Sequence, residues 1–243
     1  MIEVYGDDCL QAWRCAVARL LAERRKAHNL FVLVNRPNRI EPSWLQAYDP
    51  RTVIGSAESL SNVANTIFPE RAWTRAVRKG WDRTQFYDRY KQIYQRGKRI
   101  GWNRFRNRTA WGTYFLRLTD FGAQHVNQLD DAIKALTSWG INHRAAVTFH
   151  LCDPNTDKYR PSGGPCWHFG ELSAREDRIL DFTAVYRSHD YFQKALGNFI
   201  GLSRLLCFIC DQTGKTPGTL CCHSVYAWTG TSDRNMRTLA RLQ

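Results

Sequence analysis

Residues 179–228, ILDFTAVYRSHDYFQKALGNFIGLSRLLCFICDQTGKTPGTLCCHSVYAW, carry the pattern that decides the fold. The segment from Ile179 to Asp190 reads as a strand. From Leu196 to Thr213 the chain is apolar with few interruptions, and Gly214 follows where a glycine C-cap belongs, so this stretch reads as one long buried helix. Gly218 to Trp228 returns as a strand. Cys207 and Cys210 fall inside the helical run, where their spacing places them on one buried face. A zinc site would need a second pair, and the adjacent Cys221 and Cys222 suit tetrahedral chelation poorly, so no metal is predicted.

Working outward, NQLDDAIKALTSWG (127–140) places Leu129, Ile133 and Leu136 on one side of a helix with Gly140 at its end. RAAVTFHL (144–151) is strand-like, and DPNTDKYRPSGGP (153–165) is a turn-rich loop that delivers Cys166. Near the start, Leu10, Trp13, Val17, Leu20 and Leu21 recur at helical spacing behind Asp7 or Asp8 as N-cap. LFVLVNRP (30–37) reads as a buried strand closed by Pro37, and SAESLSNVANTIF (56–68) as a second helix with Ser56 as cap candidate, ending near Pro69. Helices and strands alternate without a clean parallel repeat or a glycine-rich nucleotide fingerprint, which predicts an α+β layered fold.

The 243 residues, 43% of them hydrophobic, suit a single domain over 1–243. Eight cysteines in a chain of this length do not suggest a small secreted disulfide scaffold. No long apolar run appears and the N-terminus is acidic, so a soluble, intracellular, cytoplasmic protein with no membrane partner is expected.

The net charge of +13 points to polyanions or phosphate-bearing small molecules. It is concentrated in residues 71–108, which hold thirteen Lys or Arg against Asp82 and Asp88. Within this basic, aromatic-rich segment Phe86, Tyr87, Tyr90, Ile93 and Tyr94 lie at helical spacing, followed by a Gly-interrupted, Arg-rich loop. Two readings stand side by side here: aromatics that stack bases while cations neutralise phosphates, or a helix that packs its aromatic face and leaves its cations in water.

The chemistry-bearing residues cluster in the second half. Cys166 follows Gly-Gly-Pro, Arg187-Ser188-His189-Asp190 comes next, and Asn198 stands eight residues past the aspartate. A cysteine beside an arginine can be held as thiolate, the reactive form. Arginine grips phosphate in a bidentate manner, Asp accepts from ring or amide N–H, and Asn offers a donor and an acceptor together. The set suggests a phosphorylated heterocycle attacked by sulfur.

In order and spacing, residues 108–230 resemble the thymidylate synthase family: the helix at 127–140, GGPC, RS-x-D, the asparagine, the long helix and the closing strand. WGTYFLRL (111–118) resembles a degraded form of the family's Tyr-Gly segment. The resemblance implies a thymidylate synthase-like layered sheet packed with helices, with a sheet face used for dimerisation. It also implies one-carbon transfer to C5 of a pyrimidine nucleotide (UMP, CMP or their deoxy forms) from 5,10-methylenetetrahydrofolate, as methyl or hydroxymethyl, through a covalent adduct at C6. By position Cys166 would be the nucleophile, Arg187 and Ser188 the phosphate contacts, Asp190 the folate contact and Asn198 the reader of the pyrimidine edge. Arg144 would complete the phosphate site of the partner in a homodimer, beside His143 in place of a second family arginine.

Several positions depart from the family. Tyr186 replaces a glutamine and Trp167 a histidine, with His168 one place later. The sugar-reading His-x-Tyr aligns with Trp228 and Gly230, or with His223 and Tyr226 if the spacing slips. Glu58 and Glu70 are the candidates for the proton-relaying glutamate. These departures point away from ordinary dUMP methylation. The alternative function is a thymidylate synthase-like protein of a nucleic-acid modification or defence system that holds polynucleotide on the basic segment, with or without catalysis.

Overall fold

The computed structural model describes residues 1–99, 111–138, 147–158, 163–176 and 178–242. Among the described residues seven strands form one mixed sheet: β1 (Ile2–Gly6), β2 (Lys26–Val34), β3 (Val147–His150), β4 (Trp167–Arg175), β5 (Ile179–Tyr186), β6 (His189–Asp190) and β7 (Thr216–Trp228). The order across the sheet is β1-β2-β7-β5-β4-β3, with β6 also paired to β7. β1 and β2 run parallel, as do β5 and β7, and the remaining neighbours along that path are antiparallel. The fold is therefore α+β, with one mixed sheet packed by helices.

The long helix α8 (Ala195–Thr213) joins β5 and β6 to β7 and is buried along most of its length. Gly214 ends it in the left-handed region at φ 68°, as its position in the sequence predicts. α8 packs against α3 (Leu60–Ile67), and two glycines set the approach. A Cβ at Gly197 would lie 2.7 Å from the Val63 Cβ, and one at Gly201 would lie 2.8 Å from the Ala64 carbonyl oxygen. The side opposite α3 faces the sheet, where Leu180, Phe182, Ala184 and Tyr186 of β5 point inward and are fully buried. The alternate residues Ile179, Asp181, Thr183 and Val185 are only half-buried on the other face. A period-2 strand covered by helices on one side gives this burial pattern.

α1 (Cys9–Ala22) starts at Asp8, whose Oδ1 accepts the Gln11 N–H at 2.9 Å, while Asp7 pairs instead with Arg36 and Arg39. The second helix is shorter than its sequence suggests. Ser59, not Ser56, is the N-cap of α3, and its hydroxyl makes no capping bond; the first N–H of the helix, that of Leu60, bonds the Asp49 carboxylate instead. α4 (Glu70–Arg78) and α5 (Arg83–Arg99) carry the basic segment as far as it is described. Gly97 lies within α5 and does not break it. Phe86, Tyr87, Tyr90 and Tyr94 are all buried, so these four aromatics pack the core and do not offer stacking faces.

α2 (Trp44–Ala47), α6 (Tyr114–Thr119) and α9 (Asp233–Ala240) are short, and α7 (Gln128–Ser138) buries Leu129, Ile133 and Leu136 as expected. Gly140 lies outside the described residues. Cys210 is buried and Cys207 half-buried on α8. Among the described residues no three metal-ligating side chains cluster, and no helix is long and apolar enough to cross a membrane.

Candidate active site

The site forms where β5 leaves the sheet. Tyr186 pairs with Ser224 and His189 with Ala227 of β7, the same offset on both sides of a gap. β5 and β6 are thus one line of chain that releases β7 for two residues, Arg187 and Ser188. On the other side the Arg187 N–H bonds the Cys166 carbonyl at 2.9 Å, which sets the cysteine beside the arginine.

The loop that delivers Cys166 needs its glycines, since Gly163 and Gly164 have φ of 83° and 79°. The Arg187 guanidinium bonds the carbonyls of Pro165, at 3.1 Å, and Gly163. It therefore braces the loop from below the thiol. A second brace comes from Tyr114, whose phenol oxygen accepts the N–H groups of both Cys166 (2.9 Å) and Trp167 (3.1 Å). Tyr114 lies in the WGTYFLRL segment, which the resemblance marks without assigning that residue a role.

Burial pushes the Cys166 thiol above its ordinary range, against the pull of Arg187 and Lys194, and Asp190 adds to the rise. Arg187 thus pulls the thiol toward the charged form, and in the free protein desolvation outweighs that pull. Lys194, the residue before α8, is the group that sequence reasoning missed. It is half-buried, burial holds its pKa down, and it lies in electrostatic reach of Glu58, Asp190 and Cys166. Its N–H bonds the Asp190 carbonyl at 3.0 Å, while its side chain makes no hydrogen bond or ion pair among the described residues. Its only signal in the sequence is a cation standing between Asp190 and Asn198.

Ser188 Oγ receives the Trp228 indole N–H at 3.1 Å. Asp190 Oδ1 receives the N–H groups of Phe192 (2.9 Å), Gln193 (3.2 Å) and Gly230 (3.4 Å), which leaves its second oxygen without a hydrogen bond among the described residues. Burial raises the Asp190 pKa, and those three N–H groups and Lys194 oppose the rise. Trp228 and Gly230 therefore reach the site. His223 and Tyr226 do not: His223 stacks on Phe31 of β2 and bonds Asn29, and Tyr226 lies against His28.

Asn198 is buried in the first turns of α8 with its Nδ2 3.0 Å from His189 Nε2. His189 Nδ1 lies 3.0 Å from Ser224 Oγ, and the ring stacks on Tyr186 at 4.1 Å. Full burial lowers the His189 pKa to about 3, so the ring is neutral at physiological pH. An unfolded histidine titrates near 6.5, so between the two values the unfolded chain binds the extra proton and stability falls as pH falls. From pH 7 to pH 5 this one group is expected to cost roughly 2 kcal/mol, measured as the difference between urea unfolding curves at the two pH values. A loss that His189→Leu leaves unchanged would assign the acid sensitivity elsewhere.

Tyr186 is fully buried and its hydroxyl has no hydrogen-bond partner among the described residues. Of the two candidate glutamates, Glu58 borders the site through its N–H to Gln193 Oε1 (3.3 Å), whereas Glu70 is paired with Arg204 at 2.6 Å. Arg144 and His143 lie outside the described residues. The structure thus brings Cys166, Arg187, Ser188, Asp190 and Asn198 to one end of the sheet.

No family model matches the chain. A protein of Methanococcoides burtonii named "Putative thymidylate synthase" is 33% identical to it over 117 residues, 47% of this chain and 51% of that protein. One of the same name from Methanosarcina barkeri is 32% identical over 115 residues, again 47% and 51%. Another from Methanothermobacter marburgensis is 31% identical over 102 residues, 42% and 44%. The chain spans about half the length of these curated relatives, and its likeness is to thymidylate synthase-like proteins.

Proposed function

We propose that the chain transfers a one-carbon unit, as methyl or hydroxymethyl, to C5 of a pyrimidine nucleotide through a covalent bond from Cys166 to C6, on a substrate other than dUMP. The observation that carries this reading is the meeting of Cys166, Arg187, Ser188, Asp190 and Asn198 at the break between β5 and β6. Arg187 and Ser188 face the 5'-phosphate in this reading, and Asn198 takes the 3,4 edge of the ring. As sulfur bonds to C6 the thiol passes its proton to solvent. The π pair of C5–C6 moves into a C4–C5 double bond and the pair it displaces goes onto the 4-oxo oxygen of a uracil or N3 of a cytosine, so that C5 becomes an enolate-like nucleophile.

5,10-Methylenetetrahydrofolate, the cofactor the resemblance implies, supplies the one-carbon unit when bound. The residues present fit it: the Asp190 oxygen left without a hydrogen bond is an acceptor for a pterin N–H. Release of tritium from C5-labelled UMP, dUMP, CMP and dCMP tests the proposal, and no release from any of the four, or release from dUMP alone, would overturn it.

The homodimer belongs to the same proposal. Outward residues such as Phe31, Leu33, Val185 and Cys221, half-buried on the sheet face opposite the buried side chains of β5, support it. Sedimentation that returned only monomer would remove it, and with it a role for Arg144 across the interface.

A second reading, polynucleotide binding, is favoured by the surface of α4 and α5. Arg71, Arg75 and Arg78 share one side of α4, and Arg89, Arg96 and Arg99 one side of α5. All six are exposed and, among the described residues, have no carboxylate partner, whereas Arg83 and Lys91 are ion-paired. If six phosphates of a single strand are neutralised, affinity should fall roughly 300-fold as salt rises from about 50 to 200 mM. Polarisation with a labelled oligonucleotide decides this, and salt-insensitive or absent binding rejects it.

A further inference from the structure

A side-chain amide reads a pyrimidine edge in either of two ways. Its oxygen can face a ring N3–H while its N–H meets a 4-oxo group, or the two can exchange to suit a bare N3 and a 4-amino group. What decides between them is whatever holds the amide on its far side. For Asn198 that is His189, with Nδ2 and Nε2 3.0 Å apart. The imidazole is held in turn by Ser224 Oγ at 3.0 Å from Nδ1, and the Tyr191 hydroxyl lies 3.1 Å from the same oxygen. Asn198 is 5% exposed, His189 1%, and Ser224 and Tyr191 not at all.

The ring cannot turn away from this line. It lies flat on Tyr186, with an interplanar angle of 5°, and meets Phe199 edge-on at 5.8 Å. A neutral imidazole has one donor and one acceptor, so the direction of the Asn198 amide is tied to which ring nitrogen carries the proton. It is tied through Ser224 to the Tyr191 hydroxyl as well. Flipping the amide alone would leave two donors or two acceptors facing each other in a buried place, so the amide reverses only if the imidazole proton and both hydroxyl protons move with it.

We infer that His189, held by Ser224 and Tyr191, is a positioning residue that locks the Asn198 amide in one orientation and so restricts the site to one class of pyrimidine, 4-oxo or 4-amino. The inference rests on the reading of Asn198 as the base-edge contact. Its consequence is specificity: the protein reads one ring well and the other poorly.

The test is direct binding of UMP, dUMP, CMP and dCMP by calorimetry, so that no turnover is needed. The intact protein is expected to prefer one ring class by about tenfold or more. His189→Leu is expected to bring the two classes within about threefold of each other, a change of ratio that general loosening of the fold does not produce. Should that variant fail to fold, Tyr191→Phe, which removes only the last hydroxyl of the line, is expected to narrow the ratio in the same direction. Equal binding of both rings by the intact protein, or an unchanged ratio in the variants that fold, overturns the inference. Absence of binding by all four nucleotides overturns instead the reading of Asn198 beneath it.

Discussion

Replacing Cys166 with alanine is expected to lower tritium release from C5 of the preferred nucleotide by at least about 10⁴-fold, into the background of the assay. The size of the effect follows from the role. Without a bond at C6 the ring keeps its C5–C6 double bond and C5 does not become nucleophilic, so an entire covalent route is lost and not one contact within it. The change removes one sulfur from a half-buried position whose backbone is fixed independently by Tyr114 and Arg187. The melting temperature should therefore move little, and nucleotide binding should survive. Substantial residual release would mean that Cys166 is not the nucleophile. Lys194→Met supplies a graded comparison: with one of the two cations that oppose the thiol's raised pKa removed, alkylation of Cys166 should need a still higher pH.

Arg117→Met is expected to destabilise the fold by about 3–5 kcal/mol, a large part of the 5–15 kcal/mol available to a typical domain. The Arg117 guanidinium donates to the carbonyls of Trp111 (2.9 Å) and Leu151 (2.8 Å) and to both oxygens of Asp157. Both side chains of the pair are at most 10% exposed. Burial works to raise the Asp157 pKa, but the bonds from Arg117 and from the Asp153 N–H hold it below the ordinary carboxylate value. Removing the arginine strands that charge in a dry place. Urea unfolding measures the loss, and the double variant with Asp157→Asn should recover part of it; a cost under about 1 kcal/mol would show that water reaches the pair. The damage should extend to the thiol, because Trp111 packs on Tyr114 with ring centroids 4.8 Å apart, and Tyr114 braces Cys166.

Much of this architecture is legible in the chain because its signals are strong and local. The apolar run before Gly214, the alternation in β7 and the Asp8 cap each determine their elements with little help from tertiary contacts. β4 is not legible in the same way. Its outward positions carry Glu171 and Arg175, and its inward Gly170 shows no side chain at all, being small because Trp167 and Phe182 crowd the place a Cβ would take. β1 is too short to show a period.

The candidate site divides along the same line. Cys166, Arg187, Ser188, Asp190 and Asn198 can be picked out by spacing, since they sit on consecutive elements of one continuous stretch. Tyr114 reaches Cys166 from 52 residues away, and no spacing rule spans that distance. Lys194 and His189 are near in sequence but take their meaning from burial, which lowers the pKa of both. The direction of the Cys166 shift is hidden for the same reason: a neighbour's sign is visible in the sequence, and the depth of burial is not.

The break between β5 and β6 has a consequence for how such a protein can change over time. Because the register with β7 resumes unaltered after Arg187 and Ser188, these two residues carry none of the instructions for pairing those strands. Ser188 is the freer of the two, since Arg187 also braces the Gly163–Pro165 loop. A gene can therefore try new side chains at Ser188 while the sheet assembles as before, and if Ser188 contacts phosphate as proposed, the anion accepted there can drift without first passing through a misfolded ancestor.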